Sequence, residues 1–203
     1  MNTHNIYRLY ADVRGCGTYM FDAYDEMDYW DEYLAHHFKG EPLPRDWKMP
    51  RYMLGDPKKQ LNDFVHGEDP APFVSMRAKV ALEEITGGAV QYWPIGEIQG
   101  VGYFIMNVVR LLDCLDVKKT QIAYAPDEPA KVLGIDRAVF DAAKIPDDVA
   151  IFKVPQYPRP VYVADAFVDC VRRHQLTGVG FEYPHDVGVS APHNAFPDLP
   201  IRK

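Results

Sequence analysis

The side chains of this chain best suited to hold a metal are histidines. His185-Asp186 and His193 stand in a Gly/Pro-rich tail, and His174 lies one helix-and-turn earlier. A metal-dependent hydrolase needs three convergent ligands and an open coordination position. His36 and His37 are adjacent and would diverge by about 100° on a helix, so they cannot both face one ion. Asp113 and Asp116, three residues apart, would share a helix face and imitate paired carboxylates or magnesium ligands. Neither a third acidic ligand nor a phosphate-cradling glycine loop accompanies them, which favours a cap or an internal hydrogen-bond role. The chain carries no H-E-x-x-H, G-x-S-x-G, P-loop or dinucleotide fingerprint. Cys16, Cys114 and Cys170 are odd in number and scattered, without a C-x-x-C pair. That pattern argues for a reducing compartment and for core thiols rather than nucleophiles. These residues point away from an enzyme, with no metal and no cofactor expected.

Charge is more informative. The net charge is −7, which disfavours nucleic acid or an anionic membrane as ligand. Asp22, Asp25, Glu26, Asp28, Asp31 and Glu32 fall within eleven residues that hold no Lys or Arg. Tyr24, Tyr29, Trp30 and Tyr33 interleave them. Read as a helix, Met27, Trp30, Leu34 and Phe38 recur near a 3.6 period and would face a core. The acids then form either a solvated face or a docking surface for a basic partner.

The elements that must position these residues state one pattern twice. Residues 72–94 run from Pro-Phe-Val-Ser through Met76–Ile85 and Thr86-Gly87 to Val90-Gln91-Tyr92-Trp93-Pro94. Residues 160–184 run from Pro-Val-Tyr-Val-Ala through Asp165–Leu176 and Thr177-Gly178 to a second aromatic run ending at Pro184. Each copy reads strand–helix–strand, with Ser75 as the cap of the first helix and each Thr-Gly as a helix stop. Gly178 is expected to hold a left-handed helix terminus.

Elsewhere, Ile6–Tyr10 alternates like a strand, and the proline-rich stretch 41–56, with Trp47 and Tyr52, reads as an ordered irregular loop. Asp69-Pro70 marks the boundary before the first repeat. Periodicity does not decide strand from helix over residues 101–116, although β-branched and aromatic content favours strand for the first half. Residues 135–144 read as a short helix, and Val149–Val154 as a strand. The longest nearly apolar run, Val101–Val109, is too short to span a membrane. The N-terminus shows no secretion signal, so a cytoplasmic location is expected.

The order of these motifs resembles a bacterial immunity-protein family, family eleven of the polymorphic-toxin systems, formerly a domain of unknown function. The resemblance rests on Pro-Phe-Val-Ser, Tyr-Trp-Pro-Ile, Leu-Asp-Cys-Leu-Asp, Ala-Ile-Phe-Lys-Val and Leu-Thr-Gly-Val-Gly-Phe. Tyr103 and Asn107 match a Tyr-x-x-x-Asn run, Asp113 and Asp116 an Asp-x-x-Asp, and Thr120 stands where Ser is commoner. Thr177, Gly178 and Phe181 match the Thr-Gly-x-x-Phe ending. It covers about residues 70–184, and before that only Ile6–Tyr10 is reminiscent.

The resemblance implies a binding protein that holds a cognate toxin catalytic domain, encoded by a neighbouring gene, inactive in the producing cell. An acidic protein would suit a nuclease toxin with a basic cleft. The fold expected is α+β, with two related strand–helix–strand units in a mixed sheet arrangement and an N-terminal helix-containing segment. Residues 1–203 form one immunity-type domain: a variable N-terminal segment (1–70), a family-like segment (71–184) and an irregular tail (185–203). Partner contacts are assigned to Asp22, Asp25, Glu26, Asp28, Trp30, Asp31, Glu32, Trp47 and Tyr52, with no nucleic acid and no membrane partner. The alternatives are a self-associating adaptor module and, behind it, a metal-dependent hydrolase.

Overall fold

The computed structural model describes residues 5–12, 19–21, 38–47, 52–54, 59, 61–65 and 71–184. Two four-stranded sheets dominate. The first runs, in spatial order, β10 (Ile151–Phe152), β11 (Val161–Ala164), β1 (Ile6–Ala11) and β12 (Val179–Glu182). The second runs β4 (Phe64–Val65), β5 (Phe73–Ser75), β7 (Val101–Val108) and β6 (Val90–Ile98). Two ribbons complete the strands: β2 (Tyr19–Phe21) with β3 (Tyr52–Leu54), and β8 (Gln121–Tyr124) with β9 (Val132–Arg137). The described helices are α1 (Met76–Thr86) and α2 (Asp165–Arg173).

The fold is α+β, but the sheets are antiparallel rather than mixed. β5 and β6 flank α1 and run in the same direction, yet β7 lies between them and pairs antiparallel with both. β11 and β12 flank α2, and β1 is inserted between them in the same way. An intervening strand therefore removes the parallel neighbours that a strand–helix–strand reading suggests.

Local chemistry explains the helices. The Ser75 hydroxyl accepts from the Ala78 amide at 3.1 Å and caps α1, and the Gly87 N–H closes it on the Glu83 carbonyl. Ala78, Ala81 and Leu82 form the buried face of α1, while Met76 and Val80 face outward. In α2, Phe167, Val168, Cys170 and Val171 are buried at helical spacing. Asp165 in its first turn and Arg172 and Arg173 in its last suit the helix dipole.

Several expectations need correction. α2 stops at Arg173 rather than Leu176, and the left-handed residue after it is Gln175, with φ 49°. Thr177-Gly178 therefore stands beyond the helix and does not stop it. After β7 the chain forms no helix, and Leu111 and Leu115 make isolated bridges to Lys153 and Phe140, so Asp113 and Asp116 share no helix face. Residues 135–144 are the end of β9 and one 3-10 turn at Ala142–Lys144. Regular strand pairing within Val149–Val154 is confined to Ile151–Phe152, although all six residues are buried. β4 precedes Asp69-Pro70 yet pairs with β5, so that dipeptide does not separate the first repeat from what comes before it.

What displaced Thr177 from the helix is a junction between the two sheets. The Asp63 carboxylate accepts from the Ser75 hydroxyl at 2.8 Å, the Thr177 amide at 2.9 Å and the Thr177 hydroxyl at 3.1 Å. It also accepts Nε of Arg77 at 3.1 Å and pairs with the Arg77 guanidinium end. That guanidinium donates to the His174 and Gln175 carbonyls at 3.0 and 3.2 Å, reaching the turn after α2. The Phe64 amide donates to the Thr177 carbonyl at 2.9 Å and the Asp12 amide to the Gly178 carbonyl at 2.8 Å.

One core cluster lies beneath this junction and draws on both sheets and both helices, including Leu9, Phe64, Leu82, Met106, Phe167 and Phe181. Phe167 meets Phe64 and Phe181 edge-on at 6.4 and 6.2 Å. The Cys170 thiol donates to the Ala81 carbonyl at 3.2 Å and ties α2 to α1.

Gly178 has φ +79°, and a Cβ there would overlap the Phe64 carbonyl oxygen and the Asn62 side chain. Gly178→Val is expected to lose about 3 kcal/mol or more in urea unfolding; a variant as stable as the parent would contradict the junction. Burial alone would push the Asp63 carboxyl up, but Arg77, the Thr177 amide and the Ser75 hydroxyl together hold it below the usual carboxylate range. A depressed folded value makes its contribution present above the ordinary carboxylate value of 3.8 and lost as pH falls through the folded one. Asp63→Asn should be less stable than the parent at neutral pH, with the gap narrowing below about pH 4. Melting curves across that range check it, and a constant gap would refute it.

Candidate partner-binding site

Period-two alternation sorts β6 and β7 into two faces. Tyr92 and Phe104 face α1, where the Lys79 ammonium sits 5.5 and 5.4 Å from their ring centroids. Gln91 and Trp93 face the other way, opposite Asn107 and Ile105 in the pairing register. Residues 38–47 cover that second face without any regular structure of their own.

Three buried or half-buried side chains fix the backbone of this loop. The Leu43 amide donates to Oε1 of Gln91 at 2.9 Å. Asn107, fully buried, donates through Nδ2 to the Glu41 carbonyl at 3.0 Å. Lys153, 1% exposed, donates through Nζ to the Phe38 carbonyl at 2.5 Å. Leu111 packs so closely on Gly40, at φ +91°, that a Cβ would overlap its side chain. Phe38 itself has φ 60°, a left-handed conformation rare for an aromatic residue.

The predicted contact residues fare differently. Asp22, Asp25, Glu26, Asp28, Trp30, Asp31 and Glu32 lie outside the described residues. Tyr52 begins β3, where its backbone pairs with Phe21. Trp47 is half-buried, with Phe38 at 6.2 Å and Trp93 at 5.2 Å, both edge-on, so it anchors the loop's far end to β6.

Other candidates for chemistry are committed to structure. The Asn107 amide anchors backbone, as a buried amide with fixed partners should. Asp113 accepts from Nε2 of Gln156 at 2.6 Å. Asp116 takes the Lys118 amide at 3.2 Å and pairs with Lys119 at 2.8 Å, which holds its carboxyl below the usual range. The Thr120 hydroxyl exchanges hydrogen bonds with the Val139 backbone at 3.1 and 3.2 Å. Cys114 and Cys170 are buried, and burial pushes the Cys114 thiol up to about 11, which leaves it a poor nucleophile. His36, His37, His185 and His193 lie outside the described residues; His174 ends α2 and offers its carbonyl to Arg77. Among the described residues, no group of three His, Cys, Asp or Glu is placed to hold a metal. No described helix is long and apolar enough to cross a membrane.

Sequence reasoning missed Lys153, Gln91, Asp63 and Arg77. The available signal for Lys153 was a single charge inside the apolar run Val149–Val154. Burial pushes its amine down to about 7 from the ordinary 10.5. Between those values the unfolded chain holds a proton that the folded chain lacks, so this amine makes stability rise with pH from about 7 towards 10.5. Lys153→Met should remove that component of the rise. Thermal melts of both proteins at pH values of about 7 and 9.5 check this; parallel curves would contradict it.

No curated protein matches the chain. A protein-family model does, over residues 5–186, which takes in β1, the 38–47 loop and β4 as well as the stretch after residue 70 where the motifs lie. The chain belongs to the Immunity protein family (Imm11).

Proposed function

We propose that this protein neutralises a cognate bacterial toxin domain by direct contact, as a binding protein rather than an enzyme, in the cytoplasm of the producing cell. Family membership carries the reading. Its physical support is a scaffold in which buried Asp63, Asn107 and Lys153 each hold backbone, at the junction of the sheets and beneath residues 38–47. An inhibitor of an enzyme needs a rigid, complementary surface and no reactive group of its own. The net charge of −7 and the acidic run 22–32 suit a basic partner such as a nuclease, whose cleft holds phosphates. We also read residues 1–203 as one domain and the two split strand–helix–strand units as one plan used twice.

The test is bacterial growth under induction of the C-terminal domain of the neighbouring gene's product. Growth arrest without this protein and rescue with it is the expected outcome; toxicity without rescue would refute immunity. With the purified pair, lysine substitutions at Asp25, Glu26 and Asp28 should slow association by about tenfold at low salt and flatten its salt dependence. Stopped-flow rates unchanged at every salt concentration would remove the acidic run from the docking face.

A further inference from the structure

Two energetically unfavourable features and one close contact that only glycine allows meet at one loop. Phe38 holds a left-handed backbone conformation. Gly40, also left-handed, is pressed against Leu111. Lys153 is buried with the Phe38 carbonyl as its acceptor, and among the described residues no carboxylate is paired with it. Burying an amine against a carbonyl costs solvation, and a packed apolar side chain would serve a core better. Arrangements of this kind persist where a particular shape is worth more than stability. Burial moving the amine down to about 7 is the same cost expressed as a titration.

We propose that residues 38–47 are a preset docking loop for the toxin domain, and that Lys153, Asn107 and Gln91 are positioning residues that hold its backbone in the binding shape. The inference rests on the functional reading above and deepens it. The loop offers Lys39, Glu41, Pro42, Pro44, Arg45 and Asp46 outward, while its Glu41 carbonyl and Leu43 amide are pegged to β7 and β6 and its Phe38 carbonyl to Lys153, just after β10. Pegging removes the ordering cost that a free ten-residue loop would meet on binding. The loop follows the acidic run in sequence, with five residues between Glu32 and Phe38. The chain's net charge of −7 suits a basic toxin domain as the occupant, while the loop's own charges, Lys39 and Arg45 against Glu41 and Asp46, balance.

Lys39 and Arg45 lie within the loop and make it readable by trypsin. Cleavage is followed by mass spectrometry in the full chain and in Lys153→Met, which keeps an unbranched side chain out to Cε and removes the amine. The bond after Lys39 should be cut at least about tenfold faster in the variant, while the bond after Lys131 at the β8–β9 tip is cut at the parent's rate. The melting temperature should stay within about 3 °C of the parent or rise. Affinity for the neighbouring gene's C-terminal domain should fall by about tenfold.

Lys153→Arg, which restores a donor, should recover slow cleavage after Lys39 if it folds; Asn107→Leu removes an independent peg and should also speed that cut. Unchanged cleavage after Lys39 in both Lys153→Met and Asn107→Leu overturns the proposal. So does a uniform acceleration of every cut with a lowered melting temperature, or faster loop cleavage with undiminished affinity. If the parent protein itself fails to bind the toxin domain, it is the functional reading that falls, and the cleavage pattern still decides whether the pegs hold the loop.

Discussion

The fold depends on one carboxylate. Asp63 sits just before β4, at the edge of one sheet, and gathers donors from the start of α1 and from the segment that leads into β12. A buried charge so placed is costly unless its lone pairs are filled. Here Ser75, Arg77 and Thr177 fill them, and each of the three serves a second structural purpose. Ser75 caps α1, Arg77 satisfies carbonyls after α2, and Thr177 aligns the Gly178 approach to Phe64. Removing the charge would leave helix start, helix end and sheet edge uncoordinated together, which is why a single site registers two sheets over a shared core.

A second constraint works in the opposite sense. Around residues 38–47 the polar groups hold shape at the expense of stability: a buried amine on one carbonyl, a buried amide on another, an aromatic residue in a left-handed conformation. The sheet beneath supplies the rigidity. One of its faces is closed by α1 and the other by this loop, so β6 and β7 transmit the order of the core to the loop rather than to solvent. The strands that form the scaffold thus also hold the presented loop.

Much of this was legible in the chain. β1, β5, both described helices and the first half of the 101–116 stretch follow from alternation, capping and β-branched content, and Ser75 caps where its side chain predicts. The antiparallel insertion of β1 and β7 was not legible, because long-range pairing leaves no local trace in a strand's own sequence. Thr177-Gly178 misled for a related reason: the same dipeptide that closes α1 is recruited in the second copy by Asp63, more than a hundred residues away in the chain. The helix face that Asp113 and Asp116 could have shared is not formed, and their neighbours Leu111 and Leu115 instead bridge Lys153 and Phe140. At the candidate site, Asn107 was readable as a backbone anchor, whereas Lys153 looked like a member of an ordinary strand. Trp47 proved to be an anchor on Trp93 and Phe38, a role that composition does not distinguish from a contact residue.

Immunity by direct contact through a prearranged loop is the central claim, and hydrogen exchange of this protein with and without the neighbouring gene's C-terminal domain tests it most directly. The account predicts that backbone amides in residues 38–47 exchange more slowly in the complex, while those of the Asp63 junction are already protected and change little. Exchange that is identical with and without the toxin domain, or slowed solely at the β8–β9 ribbon, would contradict it.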